Sequence, residues 1–190
     1  MYNPIKQMIG IAGRAEVGKD TAAAILVHAL EMKTYRFAAP VTQECAARMG
    51  IIEHDFLQIP KSKIVLDGLT KRQLMQKVGR EFRECNEYFA ITYMQHQIDC
   101  NEHISHLLNG QLITDVRLPV EAAYVRAKNG FLIHIQNPNA EPAPEDITEQ
   151  DLLIEQGDYV IKNDSDLLTF ENKVRELAIH LHAKLITKAA

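Results

Sequence analysis

Met8-Ile9-Gly10-Ile11-Ala12 runs straight into Gly13-Arg14-Ala15-Glu16-Val17-Gly18-Lys19-Asp20-Thr21. An apolar run, a glycine-bounded turn and a stretch of helix formers (Thr21 to Leu30) predict strand, loop and helix in succession. The spacing is G-x-x-x-x-G-K, the phosphate-binding loop, with Asp20 where Ser or Thr normally stands. Two glycines let the backbone turn tightly, so that successive N–H groups point inward as an anion nest. The helix that follows adds its positive N-terminal end. Lys19 adds a mobile ammonium able to follow a phosphate. Residues Gly13, Arg14, Ala15, Glu16, Val17, Gly18, Lys19, Asp20 and Thr21 are therefore expected to bind a nucleotide's phosphates. The bland alternative is a glycine turn in some other α/β unit. Glu16 would repel a phosphate chain and is expected to face outward. Asp20 either serves a metal through water or only caps the helix, and Thr21 is then the nearest hydroxyl to the phosphates.

Outward from that junction, the 190-residue length suits one α/β domain with a small inserted lobe. A hydrophobic share of 46% beside 24% charged residues argues against disorder. The net charge of −4 argues against a nucleic-acid binder. Cys45, Cys85 and Cys100 form no C-x-x-C pair and read as reduced thiols of a cytoplasmic protein. No apolar run reaches the ~20 residues of a membrane span, so no membrane partner is expected.

Five strand-like runs follow one another: Lys6 to Ala12, Thr34 to Ala38, Gln111 to Asp115, Phe131 to Ile135 and Tyr159 to Lys162. Helical segments separate them, at Thr21 to Lys33, Thr70 to Asn86, Tyr88 to Asn101, Pro119 to Asn129 and Leu167 to Leu185. Strands alternating with helices imply a parallel sheet. About seventy residues lie between the second and third runs, an inserted lobe rather than a simple crossover. Asn137 to Asp158 is acidic; its first half is expected to be a loop and Thr148 to Gln156 a short helix, with Thr148 and Asp151 as a capping pair.

Two further patterns bear on phosphate chemistry. Gln111-Leu112-Ile113-Thr114-Asp115 is an apolar strand ending in a carboxylate, followed by Arg117. In phosphate-loop proteins such an Asp holds Mg²⁺; the alternative is a helix-capping Asp beside a surface Arg. Between Lys61 and Arg83 lie Lys61, Lys63, Lys71, Arg72, Lys77, Arg80 and Arg83, seven of the 21 Lys and Arg residues. Arg80 and Arg83 share a helix face, with Arg72 near the same side. Guanidinium forks suit a second phosphate; the alternative is a solvated face with ordinary ion pairs. Cys100, His103 and His106, with His96 and Asp99 nearby, do not match zinc spacings.

Together these pieces resemble the phage and prophage deoxynucleoside monophosphate kinases of the nucleoside monophosphate kinase group. Ile9 to Thr21, with G-K-D-T, is similar to the family's strand and loop. Phe37-Ala38-Ala39-Pro40 is similar to its F-A-x-P segment, and Leu74-Met75-Gln76-Lys77-Val78-Gly79 with Arg83 to its L-L-Q-x-x-G helix. Ile113 to Glu121 resembles its I-x-D-V-R-x-x-x-E element, and Ile161-Lys162-Asn163-Asp164 its closing I-x-N-D turn. The resemblance implies a P-loop NTPase fold, a five-stranded parallel sheet of order 2-3-1-4-5 flanked by helices. It implies a single kinase domain over 1–190, a helical substrate lobe over about 40–110 and a lid-like acidic segment over about 137–158.

The implied reaction moves the γ-phosphoryl of ATP to a (deoxy)nucleoside monophosphate. Lys19 and the loop amides would hold ATP. Asp115, with Asp20 and Thr21, would organise Mg²⁺, and Arg117 would act in catalysis. Arg117, Arg72, Arg80 and Arg83 are candidates to clamp the acceptor phosphate, with Tyr88 or Phe89 stacking on its base. Small nucleotides are the expected partners of a monomer or homodimer. Two departures stand out. Val41-Thr42 replaces a usual Leu-Lys, and no Lys or Arg falls between Lys128 and Lys162, where seven acids lie from Glu141 to Asp158 instead. Either Arg126 and Lys128 stand in for the lid arginines, or the lid is inactive. A dephospho-coenzyme A kinase and a non-catalytic nucleotide-binding protein are the rival functions.

Overall fold

The computed structural model describes residues 7–101, 108–140 and 146–189. His103, His106 and Glu141 lie outside the described residues, as does Lys6. The chain forms two compact units, one from residues up to Arg36 together with Ile98 onward, the other Phe37–Gln97.

The first unit is built on strands β1 (Gln7–Ala12), β2 (Lys33–Tyr35), β5 (Gly110–Val116), β6 (Phe131–Gln136) and β7 (Tyr159–Lys162). They lie side by side in the order β2-β5-β1-β6-β7, every pairing parallel. Counted within this sheet, the order is 2-3-1-4-5, as expected. Every residue of β1 is buried, which is why the central strand reads as an unbroken apolar run. Ile9 and Ile11 join Leu112, Ile133 and Ile135 in a core closed by Leu26 and Leu30 of α1 (Lys19–Leu30) and by Phe170, Val174 and Leu181 of the terminal helix α7 (Leu167–Ala189). On the opposite face Gly10 looks toward Val125 of α6 (Pro119–Ala127), where a Cβ would come within 3.4 Å of the valine. The sheet is thus covered on both faces.

β2 ends at Tyr35 rather than running on to Ala38. Pro40 sits in the first turn of α2 (Ala39–Arg48). Its ring removes a ladder donor and favours a helix start, so the chain leaves the sheet early.

The second unit holds α2, α3 (Glu53–Gln58), the antiparallel hairpin β3 (Ile64–Leu66) and β4 (Leu69–Thr70), α4 (Lys71–Cys85) and most of α5 (Phe89–Cys100). The hairpin, not expected from the runs of apolar residues, turns at Asp67-Gly68 between Leu66 and Leu69. Val41, Cys45, Phe56, Leu74 and Val78 form its core. Thr70 accepts the Gln73 N–H, and Gln73 accepts the Thr70 N–H, a reciprocal cap that fixes where α4 begins. Cys45 is buried, Cys85 and Cys100 exposed.

The acidic segment departs most from expectation. Thr148 to Gln156 does not form a helix; only Ile147–Glu149 makes a single 3₁₀ turn. Asp146, not Thr148, is its cap, accepting from the Thr148 N–H at 2.9 Å. The segment is held by ion pairs to the loop, to Arg117 beyond β5, to Arg126 of α6 and to His134 of β6, and these replace the hydrogen bonds a helix would supply.

Candidate active site

The loop between β1 and α1 has the backbone that phosphate binding requires. Gly13 lies at φ 145 and Gly18 at φ 104, a region costly for any side chain. A Cβ on Gly13 would stand 2.6 Å from the Ile135 carbonyl oxygen, and one on Gly18 would stand 2.8 Å from Asn163 Nδ2. Asn163, in the turn after β7, donates to the Val17 carbonyl at 3.0 Å and so props the loop from behind. Lys19 is buried, and its ammonium donates to the Arg14 carbonyl across the loop. Glu16 is exposed, as are Asp20 and its carboxylate, while Thr21 is half-buried.

Register brings the second signal alongside. Ala12 of β1 stands opposite Val116 of β5, so Asp115 and Arg117 flank the start of the loop. Asp115 is half-buried. Beside it, Glu121 accepts the Arg117 N–H at 2.8 Å and the Leu118 N–H at 3.0 Å. Burial pushes the Glu121 carboxyl up to about 8; the two N–H donors oppose the shift and the Asp115 charge adds to it. Among the described residues no group of three or more His, Cys, Asp or Glu converges as a metal cage. Mg²⁺ does not demand one, since it commonly takes one or two carboxylates together with substrate phosphates. Asp115, Asp20 and Thr21 fit that donor set.

The acidic segment reaches into this site. Glu149, whose side chain is 5% exposed, accepts the Ala15 N–H at 2.8 Å and Arg117 Nη1 at 3.0 Å. Arg117 Nη1 also donates to the Thr148 carbonyl, and Arg14 Nε lies 3.5 Å from Asp151. Farther along, Arg126 binds Glu155 and Asp158, and donates to the Leu153 carbonyl. His134 Nε2 lies 3.0 Å from Asp158. Burial pushes the Asp158 carboxyl up, but Arg126, the Glu155 N–H and His134 together hold it below its usual range. Arg126 thus anchors this segment. Glu149 carried no distinguishing signal in the sequence; it is one acid among seven.

In the second unit, α4 carries Arg72, Arg80 and Arg83. Arg80 is exposed, Arg72 and Arg83 half-buried. Glu81, which opposes them in sequence, is taken up by Arg48 at 2.8 Å; that pairing holds its carboxyl below the usual range. Arg83 lies back over Gly79, where a Cβ would come 3.2 Å from its Nη1. Lys71 drops out of the basic set. It is buried, donating to the Leu57 and Ile59 carbonyls and lying 4.8 Å from the Phe56 ring centre. Tyr88 is 54% exposed, whereas Phe89 packs edge-on against Phe82.

A family model described as deoxynucleotide monophosphate kinase matches residues 48–174. The chain belongs to the deoxynucleotide monophosphate kinase family. The matched span holds Arg72, Arg80, Arg83, Tyr88, Asp115, Arg117, Glu121 and Glu149, and begins after the phosphate loop. A deoxynucleotide monophosphate kinase of Escherichia phage RB69 is 32% identical over 118 residues, 58% of this chain and 46% of that one. The chain therefore spans about half the length of this curated relative. A putative kinase from Chloroflexus aurantiacus superposes with a TM-score of 0.52 at 11% identity, over 95% of this chain and 98% of that one. Dephospho-CoA kinase from Campylobacter jejuni does so with a TM-score of 0.51 at 14% identity, over 94% and 98%. At such identities these two likenesses speak for the fold.

Proposed function

We propose that this deoxynucleotide monophosphate kinase family member transfers the γ-phosphoryl group of ATP to a deoxynucleoside monophosphate. The observation that carries the proposal is the glycine loop with the buried Lys19, flanked by Asp115 and Arg117, in a chain of this family. An oxygen of the acceptor's phosphate attacks the γ-phosphorus; the bond from that phosphorus to the bridging oxygen of ADP breaks. Catalysis of this kind is positioning and charge neutralisation. Lys19 and the amides of residues 15–21 hold the phosphate chain. Asp115, with Asp20 and Thr21, holds Mg²⁺, which when bound neutralises charge on the phosphate oxygens. Arg117 meets charge developing on the transferred group. Arg72, Arg80 and Arg83 take the acceptor's phosphate, and Tyr88 stacks on its base. The expected medium is the cytoplasm.

The test is ADP formation with Mg²⁺, ATP and each ribo- and deoxyribonucleoside monophosphate in turn, plus dephospho-CoA. Turnover with one or more deoxynucleoside monophosphates is expected. Turnover with dephospho-CoA alone, or ATP binding without any turnover, overturns the proposal.

A further inference from the structure

Glu149 belongs to a segment whose sequence promises only solvated acidity, yet its carboxylate is buried against the phosphate loop. Its two oxygens are divided between the Ala15 N–H at 2.8 Å and Arg117 Nη1 at 3.0 Å. Both donors are of the kind a phosphate oxygen seeks: a backbone amide of the glycine loop and a guanidinium. A carboxylate and a phosphate cannot accept the same N–H together. Two negative charges held at the same donors also repel each other.

Resting on the kinase reading above, we propose that Glu149 is an internal ligand of the phosphate loop, which the phosphate chain of ATP displaces as it binds. Displacement hands both the Ala15 amide and Arg117 to the nucleotide. The surrounding contacts divide the segment into a part that lets go and a part that stays. Residues 146–152 touch the loop through Glu149 and the Asp151–Arg14 pair at 3.5 Å, and touch Arg117 through Glu149 and the Thr148 carbonyl. Residues 153–158 are fixed by Arg126 to the Leu153 carbonyl, Glu155 and Asp158. Asp158, with its side chain 3% exposed, is also bound by His134. Release of the first part leaves the anchor whole. The scheme also answers the missing basic residues between Lys128 and Lys162: the guanidinium needed at the transferred phosphate is Arg117, just beyond the end of β5, and Glu149 sets when it is available.

The experiment is calorimetric binding of a non-hydrolysable ATP analogue with Mg²⁺ to the wild type, Glu149→Gln and Glu149→Ala. Thermal unfolding of each form checks folding. Removal of the competing charge is expected to tighten binding about tenfold. Equal or weaker binding by folded variants overturns the proposal while leaving nucleotide binding in place. No binding by any form overturns the kinase reading as well. Amide hydrogen exchange on the wild type gives a second readout that depends on no variant. Peptides covering 146–152 should exchange faster once the analogue binds, and those covering 153–158 should not change. Added protection over 146–152 overturns displacement.

Discussion

Lys19 is buried although it carries a charge, and its ammonium finds the Arg14 carbonyl on the far side of its own loop. Under the kinase proposal this ammonium holds the phosphate chain of ATP. Lys19→Ala should lower turnover on the order of 10²–10³-fold, the scale for losing one positioned charge-stabilising donor; steady-state ADP release measures it. Glu121 makes a different prediction. Burial raises its carboxyl to about 8 from an ordinary 4.5, so the folded protein holds a proton that the unfolded chain gives up. Its contribution to stability is complete below pH about 4.5, falls as pH rises, and is gone above about 8. Glu121→Gln, which cannot titrate, should flatten the fall in melting temperature between pH 5 and 8. The loop residues were legible because glycine spacing reports backbone geometry directly. Glu121 and Asn163 lay within quoted motifs without an assigned role, since capping a neighbouring N–H or propping a carbonyl depends on where the chain returns. Glu149 had no pattern at all: its role comes from a contact 134 residues away in sequence.

At the scale of elements, local propensity won for α4 and α6, where caps agree with packing, and for α1, which starts from Gly18 with no side-chain cap. It lost over 148–156. There the acids find cations on other elements, and long-range pairs outweigh the weak gain of a two-turn helix. The anchor can be tested. Arg126→Met leaves Asp158 buried with only His134 and backbone donors. The expected loss is about 2–3 kcal/mol, on the low side for a broken buried pair, or roughly 5–10 °C in melting temperature for a domain this size. Helix α4 shows a conflict of the opposite kind. Gly79 is buried in mid-helix, where glycine costs about 1 kcal/mol relative to alanine. The missing Cβ gives Arg83 its resting place. Gly79→Ala should raise the melting temperature slightly and raise KM for the acceptor monophosphate, because the guanidinium must shift. A gain in stability with unchanged KM would remove Arg83 from the acceptor site.

For the molecule as a whole, the sequence implies one domain over 1–190 with a helical lobe over about 40–110, whereas the chain forms two compact units, one of them Phe37–Gln97. The parallel sheet followed from the alternation of apolar runs and helices, and its strand order from the family resemblance. The short hairpin and the early end of β2 did not, because each turns on a few residues whose local signal is weak. Among the described residues no helix is long and apolar enough to cross a membrane. If the first unit holds ATP and the second holds the acceptor, lesions should separate cleanly. Arg83→Ala is expected to raise KM for the monophosphate about tenfold or more, the scale of a charge-assisted hydrogen bond, while the dissociation constant of an ATP analogue stays unchanged. An equal effect on both ligands would deny the division.

The three thiols have a practical consequence. Cys45 is sealed in the core of the second unit, and burial pushes its thiol up to about 11, so it resists alkylation at neutral pH. Cys85 and Cys100 are exposed, one in each unit. The native chain therefore carries a ready pair of attachment points for fluorescent dyes. Energy transfer between them would turn any rearrangement of the two units during a catalytic cycle into an optical signal, with no cysteine added or removed.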